Sequence, residues 1–345
     1  MMAETIKINS LVPPTWNRLK VNDVAVNMPA NLTTGIFSDG LDTEAVNTVD
    51  WNIETGCGAG LSDFLDKNGA KPVLVKTDGD KLLTIKKTCE CSTADVLCFE
   101  AGEGETINIL TDVTSDEKTD EASVLRILIK AGKGAKVNLA QVVRPGKGLT
   151  VVNDIGTVAE ENAQINIVQV FTDGSDIYSG CRTDLKGKEA YSENRVGLVR
   201  TNGQTLDMNY VMKHLAPKTK AEINVSGALS KKAQKTFRGT IDFVRGCSES
   251  DGAEAESMLL LDDTVVNKTV PLILCTEENV AGSHGATIGK PAEDMIFYMM
   301  SRGISREKAI RILERAALEA AANHIEDDGA KQYVLDIIAE KYVND

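Results

Sequence analysis

Aromatic side chains are scarce in this sequence: Phe, Trp and Tyr make up 4% of its 345 residues. Apolar positions are filled largely by Val, Ile, Leu and Ala, which suits repeated short strands. Long hydrophobic runs are missing too. The longest, "MLLL" at 258–261 and "MIFYMM" at 295–300, are far too short to cross a bilayer. No charged-then-apolar leader opens the chain, so a cytoplasmic protein without a membrane role is expected. Basic blocks of the kind nucleic-acid arms use are absent, and a net charge of −13 repels a phosphate backbone. The seven cysteines (Cys57, Cys89, Cys91, Cys98, Cys181, Cys247 and Cys275) are scattered and lack C-x-x-C spacing. Neither a disulfide framework nor a zinc ribbon is indicated. No Ser-His-Asp set, H-E-x-x-H or G-x-G-x-x-G is legible, so nothing argues positively for an enzyme. The stretch nearest a phosphate loop, "GSHGATIGKP" at 282–291, fails twice. His284 stands where a P-loop needs Gly, and Pro291 stands where it needs a hydroxyl.

What is present is a repeat. "ETINIL", "AKVNLA", "AQINIV", "NRVGLV" and "AEINVS" recur, centred on Asn108, Asn138, Asn166, Gly197 and Asn224. Their separations are 30, 28, 31 and 27 residues, an average of 29. Each copy alternates apolar and polar, so one copy cannot bury its apolar face alone, but stacked copies can. The expectation is a parallel solenoid with two strands and two turns per coil and one apolar interior. A β-sandwich also uses many short strands, but the even period favours the solenoid. Turn chemistry between copies agrees, as in "AGKGAK" at 131–136 and "TDGSD" at 172–176.

Around this core lie two different textures. Residues 1–80 show little periodicity and are expected to form a mixed N-terminal cap. There Pro13-Pro14 forces an extended path, with Trp16 and Leu19 as its anchors. Residues 81–289 are the β core. Residues 290–345 turn helical: Pro291 suits a first helical position, Gly303 a stop and Ser305 a cap. A last helix is expected near 329–343.

Only three histidines exist, His214, His284 and His324. His284 sits in a Gly-rich stretch between strand and helix. It could ligate iron or shuttle a proton, or it could simply fix the turn. Cys275, nine residues earlier, could share a metal with it or act as a small buried hydrophobe. In "MIFYMM" every helix face is apolar, so that helix is either wholly buried or offers a face to a partner.

These stretches carry a resemblance. "SHGATIGKPAEDMIFYMMSRGIS" followed by an Ala-rich helix resembles the C-terminal signature of the SufB/SufD family of iron–sulfur cluster assembly proteins. "VMKHLAPKTKAEINVSGALSKKAQKTFRGTI" resembles that family's core, with a His-x-x-Pro-x-Thr turn and a Phe-x-Gly-x-Ile strand. The match covers residues 205–323 most strongly. "SHGAT" stands where the SufB form has "EHEAT", and the SufB Cys-Gly-Ala-His segment is absent, so the chain is most like the SufD form. The resemblance implies a mainly β protein: a right-handed parallel β-helix core with an α-helical C-terminal domain. It implies a non-enzymatic scaffold that pairs with a SufB-like paralogue or with itself and docks a SufC-like ABC ATPase. The residues placed to meet that ATPase are Met295, Phe297, Tyr298, Met299, Arg302, Ile304, Ile310 and Leu313. His284 maps to the histidine that the SufD form contributes, while Cys275, the weaker metal candidate, precedes it more closely than the SufB cysteine does. No cofactor is expected to stay on this chain; an iron–sulfur cluster passes through the complex and ATP belongs to the partner. The competing functional reading is a carbohydrate-active β-helix enzyme, which would need acids recurring on one strand face.

Overall fold

The computed structural model describes residues 4–15, 17–29, 32–37, 41–115, 120–172 and 174–343. A hairpin of β1 (Glu4–Ile8) and β2 (Val24–Met28) pairs antiparallel. Short strands β3 (Ile36–Phe37) and β4 (Thr43–Ala45) and helix α1 (Ala59–Lys67) follow. Strands then succeed one another at short intervals: β5 (Pro72–Val75), β6 (Leu82–Thr88), β7 (Thr93–Ala101), β8 (Thr106–Thr114), β9 (Ala122–Ala131), β10 (Lys136–Arg144), β11 (Thr150–Ala159) and β12 (Gln164–Phe171). The series continues through β13 (Ile177–Leu185), β14 (Tyr191–Arg200), β15 (Thr205–His214), β16 (Lys220–Leu229), β17 (Gln234–Phe243), β18 (Ser250–Leu260), β19 (Val266–Cys275) and β20 (Val280–Gly289). Helices α2 (Glu293–Ser301), α3 (Arg306–Ala322) and α4 (Asp328–Val343) end the chain.

Strands β6 to β20 of even number stack in one parallel sheet, and β5 to β19 of odd number in another. The result is a parallel β-solenoid of about seven turns. Its geometry follows from the alternation within each copy. In β10, Val137, Leu139 and Val143 enter the common core, while Ala140 and Val142 face outward. One corner is built from left-handed residues stacked coil on coil: Gly104, Gly134, Asn162, Glu189, Lys218 and Glu249. Each of their N–H groups donates to the next coil, as Asn162 does to Lys188 O at 2.9 Å and Lys218 to Ser248 O at 2.9 Å. These bonds offset the strain of a positive φ at residues that are not glycine.

The period was legible, but not every rung. Asn108, Asn138 and Asn166 are register neighbours. Their amides form a ladder: Asn138 Nδ2 donates to Asn108 Oδ1 at 2.8 Å, and Asn166 Nδ2 to Asn138 Oδ1 at 3.0 Å. The next rung is Glu193, then Glu222, not Gly197 and Asn224. Asn224 pairs with Arg195, two positions along on the same face. Gly197 serves packing instead. A Cβ there would lie 3.0 Å from that of Ala321, so the missing side chain lets α3 approach the sheet.

The interior also departs from the expected apolar uniformity. Gln141 Oε1 accepts from Asn153 Nδ2 and Gln169 Nε2, each at 2.7 Å, and Tyr210 donates its hydroxyl to Gln169. All four side chains are buried. Outside, α3 and α4 lie on the even-numbered sheet, with Leu318, Val334 and Ile338 packed against Ala140, Val142, Val168 and Val170. Helix α2 begins at Glu293, not at Pro291, with Ala292 as its cap residue. On the opposite sheet the N-terminal segment is held by polar bonds: Asn9 Nδ2 to Asp207 Oδ1 at 2.8 Å, and buried Arg238 to Val21 O. Leu19 is not an anchor, being 52% exposed, and its carbonyl instead accepts from Lys268. Trp16 lies outside the described residues.

Candidate functional site at the open end of the solenoid

The two sheets end at β19 and β20, and no strand lies beyond either among the described residues. Each offers ten residues of edge backbone. Such an edge presents N–H and C=O groups ready to pair. Side chains with inward parity are left open here. Ile273 neighbours Ile241 and Ile288 neighbours Met258, both core residues, yet the two are 37% and 41% exposed.

His284 belongs to this end. The stretch expected to be a turn is the middle of β20, and the junction to α2 is confined to residues 290–292. Ile223, Glu254 and His284 are successive register neighbours, and Ile223 is in the core. Glu254 and His284 therefore take the inward parity, with His284 exposed on the final rung. Cys275 ends β19 beyond Phe243, exposed, its thiol donating to Glu277 O at 2.9 Å. Cys275 and His284 thus share the last coil but lie on opposite sheets. Among the described residues, no three His, Cys, Asp or Glu side chains gather as a metal-binding group.

Beneath His284 lies a cluster that the sequence did not disclose. Lys235 and Glu256 form an ion pair inside the solenoid, and Thr269 Oγ1 donates to Glu256 Oε2 at 2.6 Å. Burial pushes the Lys235 ammonium below its ordinary value, and Glu256 partly restores it. Glu254 is also buried. Desolvation and the adjacent Glu256 charge push its carboxyl up to about 7, against the pull of Lys235. The run Ala253-Glu-Ala-Glu-Ser257 looks like a strand with its acids in solvent. The usable signal was Met258, a core residue two positions after Glu256, which sets the inward parity.

The other histidine of interest is structural. His214 Nδ1 lies 2.7 Å from Thr219 Oγ1, and its ring stacks on Phe243 at 4.6 Å. Burial pushes its pKa down to about 4. The His-x-x-Pro-x-Thr stretch is therefore a buried corner rather than a reactive site.

The helical end carries the second candidate surface. In α2 only Ile296 is buried; Met295, Phe297, Tyr298 and Met300 are exposed, Phe297 by 73%. Arg302 is exposed and stacks over the Tyr298 ring at 5.2 Å. Met299, Ile304, Ile310 and Leu313 are half-buried. An exposed cluster of large apolar side chains on one short helix is a candidate interaction surface.

Comparison with known proteins agrees with this architecture. The family described as SUF system FeS cluster assembly, SufBD core domain, matches residues 85–317. The iron–sulfur cluster assembly protein SufD of Bacillus subtilis (strain 168) is 24% identical over 211 residues, covering 61% of this chain and 48% of that protein. SufB of the same organism is 33% identical over 170 residues, 47% of this chain and 35% of its own length. A SufBD family protein of Staphylococcus epidermidis (strain ATCC 12228) is 32% identical over 120 residues, 34% of this chain and 26% of that protein. The chain thus spans about half the length of the SufD relative, and less of the other two.

Proposed function

The chain belongs to the SufBD core family of iron–sulfur cluster assembly proteins, most like SufD, and from that premise we propose that it is a non-catalytic scaffold subunit. Its open solenoid end pairs with a SufB-like paralogue or a second copy, and α2 docks a SufC-like ABC ATPase. The cluster is cargo, assembled at the subunit junction with His284 as this chain's ligand; ATP is bound by the partner. The cytoplasm is the compartment of this activity.

The observation that carries the reading is the uncovered last coil, which sets two strand edges and His284 on one face. A paired subunit would satisfy the edge backbone and bring its own ligands to the histidine. Cys275 is the weaker candidate, because its thiol is engaged with Glu277 O on the opposite sheet. The carbohydrate reading is weaker: the outward column Asn108, Asn138, Asn166, Glu193, Glu222, Ala253 carries acids on two rungs alone, and Glu193 is ion-paired with Arg195.

The test is co-purification from the native host followed by cluster reconstitution. His284→Ala is expected to leave co-elution with the SufB-like and ATPase subunits intact and to lower cluster yield several-fold. An unchanged yield removes His284 from the mechanism, and failure of the wild-type chain to co-elute with either subunit defeats the scaffold reading.

A further inference from the structure

We infer that Glu254 is a second iron ligand of this chain, set one coil beneath His284 so that the two side chains share a ferrous ion. The inference rests on the reading of His284 as a ligand and adds the residue that works with it.

The register column that ends in His284 changes character at its last two rungs. Ile109, Leu139, Ile167, Asn194, Ile223, Glu254 and His284 follow one another as neighbours on successive strands. Four of the first five are apolar core residues. Asn194, the exception, is engaged, since its Nδ2 donates to Cys181 Sγ at 3.1 Å. Only at the mouth does the column carry two side chains with metal-binding donor atoms.

Glu254 is not accounted for by its neighbours. Lys235 contacts Glu256 and lies 3.2 Å from Thr269 Oγ1, and the other oxygen of Glu256 accepts from Thr269 at 2.6 Å. One ammonium thus faces two carboxyl groups and bonds to one of them. Glu254 is 5% exposed, yet its carboxyl makes no hydrogen bond or ion pair among the described residues. Burying such a group unpartnered is costly, and the Ile of the preceding rung shows what packing alone selects here. A cation at the mouth satisfies the second carboxyl, whose proton passes to solvent as the metal binds.

The geometry permits it. Side chains in register on adjacent strands stand about 4.8 Å apart. Two donor atoms each about 2.1 Å from one metal lie roughly 3–4 Å apart, so a small lean of either side chain closes the site. Gly239 leaves room for the carboxyl on the opposite wall, and His284 lies exposed on the final rung with its ring free of hydrogen bonds among the described residues. Imidazole with carboxylate suits ferrous iron and leaves coordination positions open toward the mouth. Cys275 is not the second ligand, because it sits on the other sheet with its thiol donating to Glu277 O.

The test is anaerobic equilibrium dialysis of the full chain against ferrous iron alone, with wild type, His284→Ala, Glu254→Gln, the double variant and Cys275→Ser. Wild type is expected to bind one ion, and Glu254→Gln and His284→Ala each to weaken binding by at least about tenfold. The double variant is expected to lose far less than the product of the two single losses, because both remove the same chelate. Cys275→Ser is expected to bind as wild type does. Urea unfolding of the metal-free variants separates lost ligation from lost folding: Glu254→Gln removes a buried acid and is not expected to lower the midpoint. If Glu254→Gln keeps wild-type affinity while His284→Ala loses it, Glu254 is refuted and His284 stands. If losses in the single variants simply multiply, the two residues do not share an ion and the inference falls. If wild type binds no iron, or His284→Ala binds as wild type does, the paired site is refuted, while the scaffold reading is still decided by co-elution of the subunits.

Discussion

A carboxyl group enters a strand-lined interior only where a neighbour leaves room. Gly239 does so for Glu254: a Cβ at position 239 would sit 2.3 Å from Glu254 Oε2. The Gly of the Phe-x-Gly-x-Ile strand is thus explained by an acid on the following strand, a relation invisible in linear order. Glu254 titrates near 7 because burial and Glu256 both oppose its charge. The folded chain therefore holds that proton more tightly than the unfolded chain does. Stability contributed by the neutral acid is complete below the ordinary carboxylate value and is lost as pH rises through 7. Glu254→Gln is expected to stabilise the protein by about 2–3 kcal/mol at alkaline pH and to change little at acid pH, as read from urea unfolding at the two extremes. An equal effect at both would mean that the carboxyl is not buried as described. His214 acts in the opposite sense, since its depressed value makes acid, not base, the destabilising direction. Residue by residue, the sequence disclosed His284 because histidine is rare. It concealed Glu254, Glu256 and Lys235, because alternation fixes two faces and does not say which one is inside.

At the level of elements, apolar periodicity found the strands and the three closing helices, and Gly303 and Ser305 located a boundary correctly. The ladder of asparagines held for three rungs and then slipped, by four positions at Gly197 and by two at Asn224, because the β12 to β14 coil is shorter than the spacing of look-alike motifs suggested. Hidden from the sequence was how the helices are fastened. Arg144 grips Asp112 with bonds of 2.9 and 2.7 Å, and Tyr333 of α4 donates to the same carboxylate at 2.8 Å. Asp112 is buried, so its two partners are not equivalent. Tyr333→Phe leaves the ion pair in place and is expected to cost about 1 kcal/mol. Arg144→Ala strands a buried charge and is expected to cost about 3 kcal/mol or more. Denaturant unfolding of both variants checks the order; a reversed order would show that Tyr333, not Arg144, carries the clamp.

For the whole molecule, the informative asymmetry lies between the ends. The early coils are closed by β3 and β4, which pair antiparallel with β6 and β5, while the late coils stop at bare edges. Ile273 and Ile288 sit at that mouth with core parity but little cover. Replacing both with Asp is expected to leave the solenoid folded and to shift a paired species to monomers in sedimentation velocity. Undiminished pairing would move the interface elsewhere. The polar bonds within the core bear on another matter. A chain made of look-alike coils risks skipping one during folding, because Asn138 could stack on a wrong but equivalent neighbour. Gln141 with Asn153, Tyr210 with Gln169, and Lys235 with Glu256 are buried polar pairs that a skipped coil would separate at a cost. They number the floors of an otherwise repetitive building, so that closing up with a storey missing strands buried polar groups.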